Sequence, residues 1–103
     1  MNILMVDVGG TNVKVMASHE GEMRRMPSGQ TLTASEMVRG VLGLTADLEF
    51  DRVSLGLPGL VEHGKPVLEP GNLGNGWVNF DYSQAFGKPV RCINDAALQA
   101  LGN

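Results

Sequence analysis

The run Ile3-Leu4-Met5-Val6-Asp7-Val8-Gly9-Gly10-Thr11-Asn12-Val13-Lys14-Val15 decides how this chain folds. Its first part, Ile3–Val8, is short, rich in branched residues and broken only by Asp7, which predicts a strand buried on both faces with one acid near its end. Beyond the glycines, Val13, Val15 and Ala17 alternate with Lys14, Met16 and Ser18, and this period of two predicts a second strand. Gly9 to Asn12 is therefore expected at the tip of a β-hairpin. That placement separates it from the dinucleotide fingerprint and the P-loop, both of which lead from a strand into a helix. Two readings of the tip stay open. As an anion cradle, its paired glycines permit positive φ and let backbone N–H groups approach a phosphate. Thr11 and Asn12 then add side-chain donors, Lys14 a point charge, and Asp7 a carboxylate for a magnesium ion that keeps several waters. As an ordinary tight turn, Gly-Gly and Thr-Asn are equally suitable chemistry.

A chain of 103 residues fits one domain, which at this size buries somewhat over about 60% of its extended-chain surface. Apolar residues make up 43% and charged residues 18%, the balance of a globular protein. No apolar run approaches the ~20 residues of a membrane span, and no signal peptide is visible, so a cytoplasmic protein without a membrane partner is expected. Cys92, the lone cysteine, sits in an apolar segment and reads as a small buried hydrophobe. The net charge is −3 and basic residues are scattered apart from Arg24-Arg25, which excludes a nucleic-acid footprint.

Residues 22–26 read as a third strand ended by Pro27, with the poor alternation of a sheet edge. Thr33-Ala34-Ser35-Glu36 fits a capping box, and Met37, Val38, Val41, Leu42, Thr45 and Leu48 follow at helical spacing. Gly40 and Gly43 each cost about 1 kcal/mol against alanine there, which points to close packing on the sheet. Residues 52–57 form a core strand stopped by Pro58-Gly59, and His63-Gly64 turns a small hairpin. Residues 69–77, dense in glycine and asparagine, read as an irregular functional loop. A helical turn at 83–86, a strand at 89–93 and a helix from 95 to 101 complete the pattern. The sum is an α/β domain with a mixed sheet: three hairpin-connected strands, then helix, strand, helix and strand. Three strands end in polar or glycine-rich elements, at Gly9-Gly10, at Pro58-Gly59 and at Asn94-Asp95. In open α/β sheets, ligands sit beyond such carboxyl ends.

Gly59-Leu60-Val61-Glu62-His63-Gly64-Lys65-Pro66 nearly matches a Walker A loop and is a decoy. Pro66 stands where a hydroxyl must meet magnesium, and a strand-like pair follows in place of a helix. No His or Cys spacing of a metal site occurs in the chain. Ile93-Asn94-Asp95-Ala96-Ala97 places a carboxylate where a core strand becomes a helix. Asn94 is a good N-cap and Asp95 favours the helix dipole by about 0.3–1 kcal/mol, which is a purely structural role. In the chemical role, Asp95 accepts a hydroxyl proton while that oxygen attacks a phosphoryl group, and positioning and charge neutralisation supply most of the acceleration.

Taken in order, Asp7-Val8-Gly9-Gly10-Thr11-Asn12-Val13-Lys14, Gly56-Leu57-Pro58-Gly59-Leu60-Val61, Asn72-Leu73 with Trp77, and Asn94-Asp95-Ala96-Ala97 resemble the amino-terminal half of the ROK family of sugar kinases. Among these the chain looks most like polyphosphate-glucokinase-type members, whose similar glycine turn carries a lysine where Lys14 stands. Many other members have lysine directly after the threonine, where this chain has Asn12. The resemblance implies an actin-like ATPase, ribonuclease-H-like fold and, in the full-length parent, transfer of phosphate from ATP or polyphosphate to the 6-hydroxyl of a hexose, most simply glucose. It implies that Gly9, Gly10, Thr11, Asn12 and Lys14 hold the donor phosphates, that Asp7 stands near Mg2+, and that Asp95 is the base. Gly59, Asn72, Asn94 and Asp95 would bind the sugar.

Family members continue into a second domain bearing the remaining phosphate loop and further sugar ligands. Residues 1–103 are accordingly expected to be the amino-terminal small domain of a two-domain enzyme and inactive alone. Without its second half the chain is expected to expose apolar surface and form a homo-oligomer. The alternative is a non-catalytic sugar- or phosphate-binding regulatory or assembly module. Repressors of this family carry a DNA-binding segment before the first strand, which here begins at Asn2, so the regulator is the less expected form.

Overall fold

A computed structural model describes residues 1–59, 61–71 and 73–94. Leu60, Asn72 and the expected helix at 95–101 lie outside the described residues.

Strands β1 (Ile3–Val8) and β2 (Asn12–Ala17) form the expected hairpin, with Val8 opposite Val13 and Asp7 opposite Lys14. Strand β3 (Met23–Pro27) continues the antiparallel ladder and takes in Pro27, one residue later than its alternation predicts. An edge strand tolerates proline where the missing N–H would face outward. The ladder continues past it, because the Ser28 N–H donates to the Thr11 carbonyl at 3.0 Å.

Helix α1 (Ala34–Leu44) starts from the complete capping box, the Thr33 side chain accepting from the Glu36 N–H and the Glu36 carboxylate accepting from the Thr33 N–H. These hydrogen bonds hold the Glu36 carboxyl below its ordinary range. The helix ends at Leu44, before the expected Thr45 and Leu48, where the Thr45 N–H and hydroxyl both bond to the Val41 carbonyl. Its inward stripe is Ala34, Met37, Val38 and Val41, while Leu42 stays 36% exposed. The two helix glycines differ. A Cβ on Gly40 would fall 2.6 Å from the Met26 sulfur, which is the expected close packing. Gly43 faces open space, and its glycine has no packing reason.

Strand β4 (Arg52–Leu57) lies parallel to β1, and β7 (Val90–Asn94) parallel to β4, giving the sheet order β3-β2-β1-β4-β7. Between them come the small hairpin β5 (Val61–Glu62) and β6 (Lys65–Pro66), then the irregular loop, then a short helix α2 (Tyr82–Phe86) capped by Asp81 and by left-handed Gly87. Two outward N–H groups of β7 are occupied: Val90 donates to the Ser83 hydroxyl at 3.0 Å and Cys92 to the Gly64 carbonyl at 3.1 Å. That blunts the edge against pairing with another chain.

The core lies on the helix side of the sheet, where Leu4, Val6, Val8, Val13, Val15, Val53, Leu55 and Leu57 meet α1. Leu73, Trp77, Tyr82 and Phe86 extend it, so the glycine-rich loop contributes core residues as well as exposed ones. Cys92 is buried as expected, and burial pushes its thiol up to about 11. The opposite face carries the alternate residues Met5, Asp7, Lys14 and Ser54.

Gly74 fixes where the loop sits. Its N–H donates to the Leu32 carbonyl at 2.8 Å, and a Cβ there would fall 2.7 Å from the Thr31 oxygen and 2.8 Å from the Leu32 oxygen. Backbone atoms cannot move aside as a side-chain tip can. Gly74→Ala is expected to lose about 1–3 kcal/mol, and Gly43→Ala to gain up to about 1 kcal/mol. Urea midpoints of the two variants check this, and a Gly74→Ala midpoint equal to that of the parent would refute it.

Candidate functional site at the carboxyl edge of the sheet

Parallel strands β1, β4 and β7 end at one edge, and their register aligns what they carry. Asp7 pairs with Gly56, Gly56 with Ile93, and Leu57 with Asn94. With strands about 4.8 Å apart, Asp7 and the end of β7 are separated by roughly 10 Å, with only a glycine between them in the row. The glycine turn and the Asn94 end of the last strand therefore lie at the same edge of the sheet.

The turn is closed by the Gly9 N–H donating to the Asn12 carbonyl at 2.9 Å. Space is tight at Gly9: a Cβ would lie 3.2 Å from the Asn12 oxygen. The expectation that these glycines serve through positive φ is not what the turn uses, since neither Gly9 nor Gly10 is in the left-handed region. The three-residue connection Gly9–Thr11 makes its turn without a left-handed residue. Thr11 is exposed and its hydroxyl accepts from the Asn12 side-chain amide at 3.4 Å. Lys14 is exposed, and Asp7 is half-buried beside it.

On the other side, Gly59 takes φ +96, a conformation that favours glycine, and presents its carbonyl to the Asn94 side-chain amide, which donates at 2.8 Å. Two of the expected sugar-binding residues are thus joined. Asn72 and Asp95 lie outside the described residues, although Asp95 is bonded directly to Asn94.

For magnesium, the donor set is one half-buried carboxylate, Asp7, flanked by Lys14 and by side-chain-free Gly56. Such a set fits an ion bound through one carboxylate, waters and substrate phosphates. Among the described residues no three His, Cys, Asp or Glu side chains gather as a protein-only metal cage. No described helix is long and apolar enough to cross a membrane.

Several supports escape local sequence reading. The Glu69 carboxylate accepts from the N–H groups of Trp77 at 2.9 Å and Val78 at 2.8 Å, closing the loop that contains position 72. The Tyr82 hydroxyl donates to the Trp77 carbonyl at 2.6 Å, and burial raises that phenol so that it stays protonated. Ser28 keeps a buried hydroxyl with no partner among the described residues. A glycine-asparagine loop with one glutamate at its start hints at the clamp, but its partners eight and nine residues on have no periodic signal. A groove of about 800 Å³ between the small hairpin and residues 78–83, lined by His63, Lys65, Asp81 and Tyr82 among others, holds none of the expected site residues.

No protein-family model matches the chain, and no curated protein matches it in sequence. Its three-dimensional likenesses are clear. A candidate N-acetylmannosamine kinase from Listeria monocytogenes superposes with a TM-score of 0.76 at 21% identity, over 99% of this chain and 38% of that one. The ROK hexokinase from Thermus thermophilus gives 0.74 at 21% identity, over 98% of this chain and 37% of that one. A candidate sugar kinase from Cytophaga hutchinsonii gives 0.69 at 28% identity, over 99% and 38%. The fold is the mixed-sheet, actin-like ATPase fold expected from the sequence. The chain spans about 38% of the length of the structures it matches.

Proposed function

We propose that this chain is the amino-terminal domain of a ROK-type sugar kinase that transfers phosphate from ATP or polyphosphate to the 6-hydroxyl of a hexose, with glucose the first candidate. The observation that carries the reading is the common edge: a tight glycine turn suited to an anion faces, across one glycine of the sheet, an Asn94–Gly59 pair suited to hydroxyls. Its overall likeness to proteins described as a hexokinase and as sugar kinases supports the same chemistry.

In this reading the N–H groups at Gly10 and Thr11 and the Thr11 hydroxyl orient the transferred phosphate, and Lys14 offsets its charge. Asp7 would hold magnesium, which when bound supplies further neutralisation of phosphate charge. The Gly59 carbonyl, Asn94 and Asn72 offer the paired donors and acceptors that a sugar needs. Asp95 accepts the proton of the attacking hydroxyl. Little covalent chemistry is required of the protein, so alignment of the two halves of the site is the main source of rate.

Protein carrying this chain together with the second domain that such kinases possess is expected to form a hexose 6-phosphate with ATP or polyphosphate. The 103 residues alone are expected to form none. Product analysis over a panel of hexoses with both donors tests this, and absence of any phosphorylated sugar from the longer protein would overturn it.

A further inference from the structure

Arg24 and Arg25 are neighbours in sequence and differ in every other respect. Arg24, on the helix side of β3, donates to Asp47 at 2.6 and 3.0 Å, to Glu20 at 3.2 Å and to the Leu44 carbonyl at 2.7 Å, so its charge is fully employed in tying β3 to the end of α1. Arg25 points to the other face. It is exposed and makes no ion pair or side-chain hydrogen bond among the described residues, and neither does Lys14.

The register places these two cations directly opposite one another, Lys14 on β2 and Arg25 on β3, with Asp7 on β1 continuing the same row. Facing residues have Cβ atoms about 4.5–5.5 Å apart, and like charges directly opposite destabilise a sheet. Asp7 offsets part of this cost from the far side of Lys14, but Arg25, at the outer end of the row and two strand spacings from Asp7, has no acidic residue paired with it, in a chain whose net charge is −3. A negatively charged ligand lying across the row would relieve it. The row runs from Asp7 outward to the β3 edge, roughly 10 Å over two strand spacings, further than a single phosphate reaches.

We propose that Arg25, together with Lys14, forms an outer phosphate subsite that grips the part of an oligophosphate donor remote from the transferred group. The proposal rests on the donor-site reading above and extends it. Arg25 suits the role because its planar fork can bind one phosphate through two donors, while Lys14 acts as a point charge between the inner and outer phosphates. The ligand chemistry is a linear chain of phosphates, which a nucleoside triphosphate and an inorganic polyphosphate share.

The test titrates the 103-residue chain and its R25Q, R25K and K14Q variants with orthophosphate, tripolyphosphate and ATP at fixed ionic strength, followed by amide NMR shifts of the glycine turn. R25Q is expected to weaken tripolyphosphate binding roughly fivefold to tenfold, as befits loss of one partly exposed charge contact, and to leave orthophosphate within about twofold. R25K should recover part of the loss, and K14Q should weaken both ligands. The melting temperature of R25Q should equal or exceed that of the parent, because the change removes a like-charge contact. An equal effect on ATP assigns the subsite to a nucleotide's phosphates, and an effect confined to tripolyphosphate assigns it to an inorganic chain. Unchanged tripolyphosphate affinity in R25Q, or equal weakening of orthophosphate and tripolyphosphate, overturns the subsite alone. Failure of the unaltered chain to bind any of the three overturns the donor-site reading itself.

Discussion

Trp77→Ala is expected to remove a large share of the domain's stability and to shift its urea midpoint sharply downward. The indole is fully buried and is the largest such side chain in the described core, packed where the loop meets α2 and the sheet. Removing it forfeits transfer energy and leaves a cavity, a loss of about 3–5 kcal/mol. Domains of this size hold on the order of 5–15 kcal/mol in total. The damage also spreads beyond the cavity, because the Trp77 backbone is held at both ends, its N–H by Glu69 and its carbonyl by the Tyr82 hydroxyl. The indole N–H, by contrast, is buried without a partner among the described residues. The residue therefore stabilises through volume and not through its hydrogen bond. Trp77→Phe keeps most of the apolar bulk and removes an orphan donor whose burial costs about 1–3 kcal/mol, so it should lose well under half as much. Urea unfolding followed by far-ultraviolet circular dichroism gives both values without relying on tryptophan fluorescence. A Trp77→Ala stability within about 1 kcal/mol of the parent would show that the loop is not part of the core.

That core role explains where sequence reading stops. Strands β1 and β4 are legible residue for residue because burial on a sheet imposes a period of two, and α1 because Thr33 and Glu36 write its first turn in side chains three residues apart. The glycine turn is legible as a hairpin tip for the same local reason. Trp77, Leu73 and the Glu69 clamp are not. They depend on one irregular segment meeting another, Gly74 on Leu32 and Tyr82 on Trp77, and no spacing within the loop encodes those partners. Glycine misleads in both directions. Gly9 sits tight against the Asn12 carbonyl and does not use a positive φ, Gly40 packs against the movable tip of Met26, and Gly43 does neither. For the candidate site, the motifs named Gly59 and Asn94, which do meet, but the opposition of Lys14 and Arg25 emerges only from strand register.

The second large effect concerns Asp95 and separates two roles that its position alone leaves tied. In the longer enzyme proposed above, Asp95→Asn is expected to lower turnover by roughly 10²–10⁴-fold, the usual worth of a positioned general base. Asparagine matches aspartate in size and can still accept a hydrogen bond from a sugar hydroxyl, so hexose affinity should stay within a few-fold. What it cannot do is take the proton. If Asp95 served only the first turn of a helix, the same change would remove a dipole interaction of about 0.3–1 kcal/mol, readable as a small fall in melting temperature, and the rate would be untouched. The larger effect belongs to the proposed reading, in which the neighbouring residues supply an alignment. Asn94, bonded to Asp95, is tied to the Gly59 carbonyl at 2.8 Å, and β7 is locked in register with Gly56 and Leu57, two strand spacings from Asp7. A helix cap needs none of that alignment, whereas a base that must meet a hydroxyl in line with a phosphate held at the glycine turn does. Steady-state kinetics and sugar binding measured on one preparation decide the matter: retained binding with lost turnover fits the base, and an unchanged rate removes Asp95 from the chemistry.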